Sequence, residues 1–273
     1  MISVAYVNER KPDHELLLAL PQAFEIFAVA AQPDASVAAE IVGSHQVRYD
    51  LLTVPCAHHQ STDLQNIAHG WIDAALQARG AATQTMTLQG AQIVWNGARV
   101  AILAPVERLD AVRAALLETI WYDAELSDLE RSLSENWPRL ERDTPLSFSF
   151  DDKSLPRLSE LKRQYQIVME IRTRQARLAP YVYCPHVHPP TLASQVNERF
   201  RERTRLLHRH EILGEQLEVF ERSYDACGQR ASDYVQSRTG HTLEWIIIVL
   251  LVTQIVLWGV EILTNLEPAT AAV

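Results

Sequence analysis

A long uncharged stretch near the C-terminal end constrains this chain more than any other part of its sequence. No side chain is charged in residues 245–260, and the apolar run reaches Leu263 if Glu261 is included. At about 1.5 Å per residue the longer span measures roughly 28 Å as a helix, close to the hydrocarbon thickness of a bilayer. Only Thr253 and Gln254 are strongly polar before Glu261. The stretch predicts one transmembrane helix, and a buried core helix is the alternative.

The ends of the stretch also favour a membrane, because tryptophan rings prefer the headgroup layer and one tryptophan stands near each end. The predicted anchor residues are Glu244, Trp245, Ile246, Ile247, Ile248 and Trp258. Glu244 is expected at the level of the headgroups, which is too shallow for an ion path.

The flanking charges predict the orientation of the span. Arg230 and Arg238 precede it, whereas Glu261 and Glu267 follow it without any lysine or arginine. Positive residues are retained on the cytoplasmic side, so we expect the N-terminal body in the cytoplasm. Arginine is far more frequent than lysine. Alanine is also frequent, and this composition is typical of GC-rich bacterial genomes. We therefore predict a single-pass protein of the bacterial inner membrane.

The composition of the remaining chain is that of a folded, water-soluble body. Hydrophobic residues make up 47% of the sequence, enough to form a core. Cys56, Cys184 and Cys227 are an odd number of cysteines and widely separated, which indicates a reducing compartment rather than a disulfide framework.

The net charge of -9 is unevenly distributed along the chain. Residues 107–160 contain thirteen acidic and seven basic side chains, whereas residues 161–210 contain ten basic and three acidic ones. The basic segment either contacts phosphates or anionic lipid, or pairs with the acidic segment of the same chain. The intramolecular interpretation is favoured, because oppositely charged neighbouring helices are common.

The first hundred residues predict mixed α/β structure. Residues 2–7 are a strand candidate, and residues 14–31 and 62–79 are predicted helices. The apolar face of the second helix is expected to consist of Ile67, Trp71, Ala74, Ala75 and Leu76.

A β-hairpin is the clearest local prediction. The apolar runs 90–95 and 98–103 meet at Asn96 and Gly97, a pair that supplies the positive φ angles of a tight turn.

After Pro105 the pattern is helical. Residues 107–137 and 159–179 are predicted helices joined by a loop at residues 143–156, where Asp151 and Asp152 are expected to be solvated.

An extended link is predicted after these helices, from the prolines Pro180, Pro185, Pro189 and Pro190. A long helix is then expected from about Leu192 towards the membrane. Gly228 and residues 237–240 weaken it, so we expect a flexible collar just before the bilayer.

The predicted fold class is α+β, with an N-terminal mixed α/β domain that contains a hairpin. Its boundaries are an α/β domain at residues 1–105, a helical domain and coiled-coil stalk at 106–240, one transmembrane helix at 241–264 and a short tail at 265–273.

A heptad pattern in the last helix predicts packing against another helix. Apolar residues recur there in steps of four and three, and we call them the heptad seam: Leu213, Leu217, Phe220, Tyr224, Cys227, Ala231 and Tyr234. Such a seam needs a partner helix. The partner is either the 159–179 helix of the same chain or the same helix of a second subunit.

Metal-ligand residue types crowd together at Cys184, His186 and His188. Alternate residues of an extended strand project to one side, so the three could hold zinc or copper. A fourth ligand would have to come from elsewhere, such as Cys56, His58 or His59. The spacing matches no common structural zinc pattern, so a proline-rich connector is favoured and we predict neither metal nor cofactor.

A basic surface is predicted on the last helices, at Arg199, Arg201, Arg203, Arg205 and Arg209. Alternate helical positions lie about 200° apart, so these residues cannot form one narrow stripe for a DNA groove. A broad contact with RNA, a ribosomal surface or anionic headgroups is an alternative. His208 and His210 could bind phosphate or sense pH, but a solvated basic surface is favoured.

No enzymatic motif occurs in the sequence. It lacks the glycine-rich phosphate loops, the Gly-x-Ser-x-Gly elbow and the His-Glu-x-x-His pair, and it has only nine glycines. We therefore predict that the chain is not an enzyme.

The junction of stalk and anchor resembles a known family. Arg-His-Glu-Ile-Leu-Gly-Glu-Gln-Leu at 209–217 and Leu-Glu-Trp-Ile-Ile at 243–247 resemble the C-terminal signature of the Rmd-type ("required for meiotic nuclear division") family, a domain of unknown function. Gly214 and Gln216 replace the usual Asn and Arg, and Cys-Pro-His-Val-His-Pro-Pro at 184–190 stands where the family has an Asp-Thr-Pro linker. The resemblance spans about residues 176–263.

The resemblance implies an α/β part, a helical stalk and a C-terminal anchor. It also implies large homo-oligomers and support of translation, the properties of mitochondrial relatives, and it carries over no catalytic residue.

The preferred functional hypothesis is a non-enzymatic, membrane-tethered scaffold or adaptor. It would self-associate through the heptad seam and present its body to a cytoplasmic protein partner of unknown identity, with the translation machinery as the partner that the resemblance suggests. The alternatives are a metal-dependent enzyme of the membrane surface and an oligomeric pore-forming or effector assembly.

Overall fold

A computed structural model of the chain describes residues 1–8, 14–22, 24–31, 48–56, 61–74, 83–96, 99–183 and 191–266. Within these ranges a mixed sheet is followed by long helices, and the last helix is long and apolar. The predicted α+β class is therefore confirmed. The chain divides into two compact units: the first comprises Met1–Glu135 with Ile171–Gln216, and the second Asn136–Glu170 with Leu217–Val273.

All the described strands lie in the N-terminal part of the chain, where one helix separates the first four strands from the last three. The strands are β1 (Ile2–Val7), β2 (Leu16–Ala19), β3 (Phe27–Ala31), β4 (Arg48–Pro55), β5 (Gln84–Leu88), β6 (Ala91–Trp95) and β7 (Arg99–Ala104). The helices are α1 (Ser61–Asp73), α2 (Val106–Asp143), α3 (Leu158–Tyr183), α4 (Leu192–Thr204) and α5 (Leu206–Leu266). Short 3-10 turns at Thr144–Ser147 and Leu155–Arg157 follow α2 and precede α3.

The sheet of the first unit is mixed, with strand order β2-β3-β1-β4-β7-β6-β5. Its neighbours are antiparallel except for the central pair, β4 and β7, which is parallel from Asp50↔Arg99 to Pro55↔Ala104. A parallel pair requires a crossover connection, and this one contains α1. The predicted strand at residues 2–7 is confirmed as β1.

Both faces of the sheet are covered, which explains why the residues of β6 and β7 are buried without alternation. Helix α1 packs Ala68 and Ile72 against Val94, Ala101 and Leu103 on one face. On the other face, the Trp95 ring lies 4.9 Å from the ring of Phe200 in α4, and the Tyr6 hydroxyl donates to the Leu117 carbonyl of α2 at 2.8 Å.

The predicted hairpin is confirmed. Strands β6 and β7 pair antiparallel, with Trp95 opposite Val100, and the Asn96 amide donates to the Arg99 carbonyl at 2.9 Å. Gly97 and Ala98 lie outside the described residues. The Asn96 side chain also donates to the Ile72 carbonyl at 3.0 Å, so it joins the hairpin to the end of α1.

The predicted helix at residues 14–31 is wrong, because β2 and β3 occupy this segment. The chain turns at Pro21, where the Phe24 amide donates to the Pro21 carbonyl at 3.0 Å, and Glu25 follows at φ 52°. Strand β3 pairs with β1 and buries Ala28 and Val29 completely. The burial available in the sheet outweighs the helical propensity of the Leu and Ala residues in this segment.

The helix predicted at residues 62–79 is confirmed only as α1, and residues 75–80, including Ala75 and Leu76, lie outside the described residues. Its apolar face differs from the prediction. Ile67 is 64% exposed and Ala74 is exposed, whereas Ala68 and Ile72 are buried and Trp71 is partly buried.

The predicted link does not begin at Pro180, because α3 continues through this proline to Tyr183. One lost backbone hydrogen bond is tolerated there because the last turn is anchored. Val182 is fully buried, and the Tyr181 ring stacks on Tyr122 at 5.5 Å and contacts Phe24 at 5.0 Å. Pro185, Pro189 and Pro190 lie outside the described residues.

The single helix predicted from Leu192 is two helices. Arg205 adopts the left-handed conformation, with φ 51° and ψ 37°, and ends α4, after which α5 begins with the fully buried Leu206. Helix α5 passes through Gly228 and Gly240 without interruption, and the flexibility of the predicted collar stays a prediction.

Gly214 allows a close contact within the first unit. A Cβ atom there would lie 2.9 Å from the Gln175 Nε2 atom, which donates to the His210 carbonyl at 3.1 Å. At Gly228 of the same helix, a Cβ atom would meet nothing within 4 Å.

We expect Gly214→Ala to be less stable than Gly228→Ala by about 1 to 2 kcal/mol. Both variants gain helical propensity, but only the first displaces a hydrogen-bonded side chain. Thermal unfolding of the detergent-solubilised chain measures the difference. Equal midpoints for the two variants would contradict the close contact.

Candidate membrane anchor and its helical support

The C-terminal part of α5 exposes a continuous apolar surface. Its large apolar side chains from Leu243 to Val260 are 48–70% exposed, and none of the most apolar window is buried. The window has a mean hydropathy of 2.2, and this is the one helix of the described residues that is long and apolar enough to cross a membrane. The alternative of a buried core helix does not fit this exposure. We call residues 243–260 the apolar segment.

The predicted anchor residues all lie on this helix. Trp245 and Trp258 are each 68% exposed near its two ends. Glu244 lies one residue before Trp245 and its Oε2 atom is 3.2 Å from Nδ1 of His241. The carboxylate therefore contacts His241 on the same helical turn, and it lies just before the uncharged residues 245–260.

The segment that joins α2 to α3 contacts α5 just before the apolar segment. Arg238 donates to Asp152 at 2.7 Å, and the Phe150 ring lies 5.9 Å from the Tyr234 ring. Asp151 accepts from the Ser154 amide at 3.0 Å, which closes the turn that carries Asp152. The two aspartates are exposed, as predicted, and each also has a hydrogen-bond partner within this unit.

The heptad seam is buried within a single chain. Six of its residues are no more than 4% exposed, and Tyr234 is half-buried. In the second unit, the Phe220 ring meets the Trp137 ring of α2 at 4.8 Å. This burial favours a partner helix within the same chain over the same helix of a second subunit. Helix α2, which supplies Trp137, was not among the partner helices that the sequence suggested.

Asp143, the last residue of α2, is the polar centre of the second unit. Its side chain is 1% exposed and pairs with Arg157, while Nε of Arg142 lies at 3.8 Å. It also accepts from the Tyr224 hydroxyl at 3.4 Å, and the Cys227 thiol lies 3.6 Å from its carbonyl oxygen. Sequence reasoning missed this residue, because no local pattern distinguishes a buried aspartate from one in a solvated loop.

Burial, reinforced by the Asp143 charge, raises the pKa of the Tyr224 hydroxyl and of the Cys227 thiol. Both groups are therefore neutral near pH 7, and the thiol is a poor nucleophile. Their position between α2 and α5 is structural.

The predicted basic surface is divided by the structure. Arg209 is held in the first unit by Asp123 at 2.5 Å, by Ser127 at 2.8 Å and by both oxygens of Glu130 at 2.9 and 2.7 Å. Burial alone would lower the pKa of Arg209, but these acidic partners raise it. This arginine therefore joins α5 to α2 through ion pairs inside the first unit.

A second arginine also joins two helices by pairing with two acidic side chains. Arg174 of α3 donates to Glu125 and Asp128 of α2, each at 2.8 Å. The intramolecular interpretation of the charge asymmetry is confirmed for these arginines.

The other members of the basic surface differ in exposure. Arg199 is exposed and pairs with Glu202 at 2.9 Å, and Arg201 is only partly exposed. Arg203 and Arg205 are exposed. These are the positions at which an anionic partner could bind.

His208 and His210 have different environments. His208 is exposed, as predicted, but His210 is 4% exposed, with Nε2 3.1 Å from the Gln175 carbonyl oxygen and its ring against Tyr183. The predicted solvated surface is therefore wrong for His210.

The predicted metal-ligand cluster cannot be placed, because Cys184, His186, His188, His58 and His59 lie outside the described residues. Cys56 is buried in the core under α1. Within the described part of the chain, no three His, Cys, Asp or Glu side chains converge on a point that could hold a metal ion.

Comparison with known proteins identifies no family. No protein-family model matches the chain, and no curated protein matches it either. The resemblance to the Rmd-type family stays a prediction.

We expect Asp143→Asn to destabilise the chain by about 1 to 3 kcal/mol, because it leaves the partly buried Arg157 without its carboxylate. Glu141→Gln, two residues earlier on the exposed side of α2, is the control and should change stability by less than about 0.5 kcal/mol. Chemical unfolding in detergent measures both. An unaltered midpoint for Asp143→Asn would show that the ion pair contributes no stability.

Proposed function

We propose that this chain is a non-enzymatic, membrane-tethered scaffold that holds its α+β body at the cytoplasmic face of a bacterial inner membrane. The apolar segment is the anchor, and the body is the part presented to a partner. The exposed apolar segment is the observation that carries the proposal.

The free energy of this exposure supports the membrane role. Leaving the apolar segment in water costs on the order of 10 to 20 kcal/mol, since each large apolar side chain contributes about 1.5 to 3 kcal/mol when fully buried. A bilayer removes this cost. A helix also satisfies its own backbone hydrogen bonds, which is required in the hydrocarbon region.

The shape of the second unit supports the tethering role. Arg238 is bonded to Asp152 and Tyr234 packs on Phe150, so the helix is braced shortly before the apolar segment. A braced helix holds the residues beside it at a fixed distance from the membrane, unlike a tether on a flexible linker.

The partner is proposed from charge. Arg203 and Arg205 are exposed, whereas Arg174 and Arg209 are satisfied inside the chain. The exposed pair favours an anionic partner such as RNA or a ribosomal surface, in line with the translational role implied by the resemblance.

Self-association is also part of the proposal. Because the heptad seam is buried within one chain, a contact between copies needs a different surface.

The anchor predicts that the full chain floats with liposomes in a density gradient, whereas a chain that ends at Gly240 stays at the bottom. Leu250→Arg should reduce insertion, since arginine at the centre of a span costs about 2.5 to 3.5 kcal/mol. Ser237→Arg, on the same helix outside the apolar segment, should float like the wild type. Flotation of the truncated chain would contradict the anchor.

The orientation predicts asymmetric protease sensitivity in bacterial membrane vesicles. In inside-out vesicles the body faces the protease and should be degraded, leaving a short protected fragment that contains the apolar segment. In right-side-out vesicles the body should be protected until detergent is added. The reverse pattern would place the body on the other side.

A further inference from the structure

We propose that the apolar segment pairs in the bilayer with the same segment of a second copy of this chain, in parallel, through Gln254. This inference rests on the proposed membrane anchor. It assigns self-association to a surface and a residue that are separate from the heptad seam.

Gln254 is the unsatisfied polar side chain of the apolar segment. The adjacent Thr253 hydroxyl donates to the Val249 carbonyl of its own helix at 2.8 Å, so it needs no further partner. Among the described residues, nothing hydrogen-bonds to the Gln254 carboxamide, which is exposed on the helix. The two neighbouring polar residues thus differ in what they require from their surroundings.

The depth of Gln254 makes this requirement severe. It lies about nine residues from Trp245 and from Leu263, which is roughly 14 Å from either end of the span. A glutamine side chain is too short to reach the headgroup layer from there. Hydrocarbon offers no donor or acceptor, so the carboxamide needs a partner inside the membrane.

A second Gln254 is a complementary partner. The carboxamide has an NH2 group that donates and an oxygen that accepts, so two facing copies can each donate to the other. All copies of one chain insert with the same orientation, which places Gln254 of one copy at the depth of Gln254 of the other. A two-fold axis along the membrane normal then makes the two hydrogen bonds equivalent.

The residues around Gln254 form an apolar stripe that suits a helix pair. Steps of four and three from Leu243 define the stripe as Leu243, Ile247, Leu250, Gln254 and Leu257. All five are exposed in the described chain. The next step reaches Glu261, at the margin of the span, where water and headgroups screen the like charges of two copies.

The stripe is separate from the heptad seam. At about 100° per residue, the twenty or so residues from Tyr234 to Gln254 rotate the helix by about 200°, which places Gln254 on nearly the opposite side from Tyr234. The segment around Phe150, which packs against Tyr234, therefore does not block the stripe.

The first test measures energy transfer between donor- and acceptor-labelled full-length chains in phosphatidylcholine vesicles over a range of protein-to-lipid ratios. We expect concentration-dependent transfer for the wild type. Gln254→Leu should weaken association about 3- to 30-fold, the range measured for hydrogen bonds between membrane helices. Thr253→Val is the matched control and should stay within about twofold of the wild type.

The inference is wrong if Gln254→Leu associates as tightly as the wild type, or if the wild type shows no transfer at any ratio. Flotation of the same vesicles separates this failure from failure of the anchor. A chain that floats but does not associate retains the anchor and loses the pairing, whereas a chain that does not float loses both.

The second test locates the interface by oxidative cross-linking in the same vesicles. Leu257→Cys lies on the stripe, whereas Val256→Cys lies about 160° away from Gln254 around the helix. In a Cys184→Ser background, where Cys56 and Cys227 are buried, we expect a disulfide-linked dimer for Leu257→Cys and at least about tenfold less for Val256→Cys. Equal cross-linking of the two variants would overturn the assigned face.

Discussion

The apolar segment at the end of α5 imposes the constraint on which the rest of the structure depends. A surface of this size is unfavourable in water, and the described part of the chain leaves it uncovered. The segment is also the continuation of α5, whose earlier part is packed against the rest of the chain through the buried heptad seam. Whatever holds the apolar segment therefore also fixes the position of the helical support next to it.

The second unit shows how a helix can be braced without a large core. Apolar residues of the heptad seam are covered by α2 and by the segment that follows it, and one buried carboxylate, Asp143, is satisfied by Arg157 and Tyr224. A buried charge destabilises a fold unless an opposite charge and hydrogen-bond donors lie in contact with it. The geometry of α2, the following turns and α5 is therefore mutually dependent in this unit.

The first unit also joins its helices through charged side chains, but here the central charges are arginines rather than an aspartate. Its sheet is covered on both faces, while its helices are joined by arginines that each bind two acidic side chains of α2. The acidic and basic halves of the helical sequence compensate each other there. The net charge of the chain is thus a poor guide to the charge that a partner meets, and the exposed Arg203 and Arg205 are better candidates for contact.

The sequence by itself determined the features that depend on local composition. Residues 245–260 are uncharged whatever the fold, residues 2–7 form a short, mostly apolar strand, and Asn96-Gly97 favours only a narrow set of turns. The fold class and the presence of one helix long enough for a membrane followed from these.

Only the tertiary structure decided the features that depend on a distant partner. A heptad pattern shows that a face must be covered but not by which helix, and here Trp137 of α2 packs against Phe220 of the seam. Residues 14–31 have helical propensity, yet pairing with β1 makes them strands, and Arg205 interrupts a helix that no sequence signal ends. Asp143 and Gln254 are both polar residues, but the buried Asp143 finds its partners within the chain, whereas the exposed Gln254 has none among the described residues. The physical reason is that burial and hydrogen bonding are satisfied between segments far apart in sequence, so their outcome is set by packing rather than by neighbouring residues.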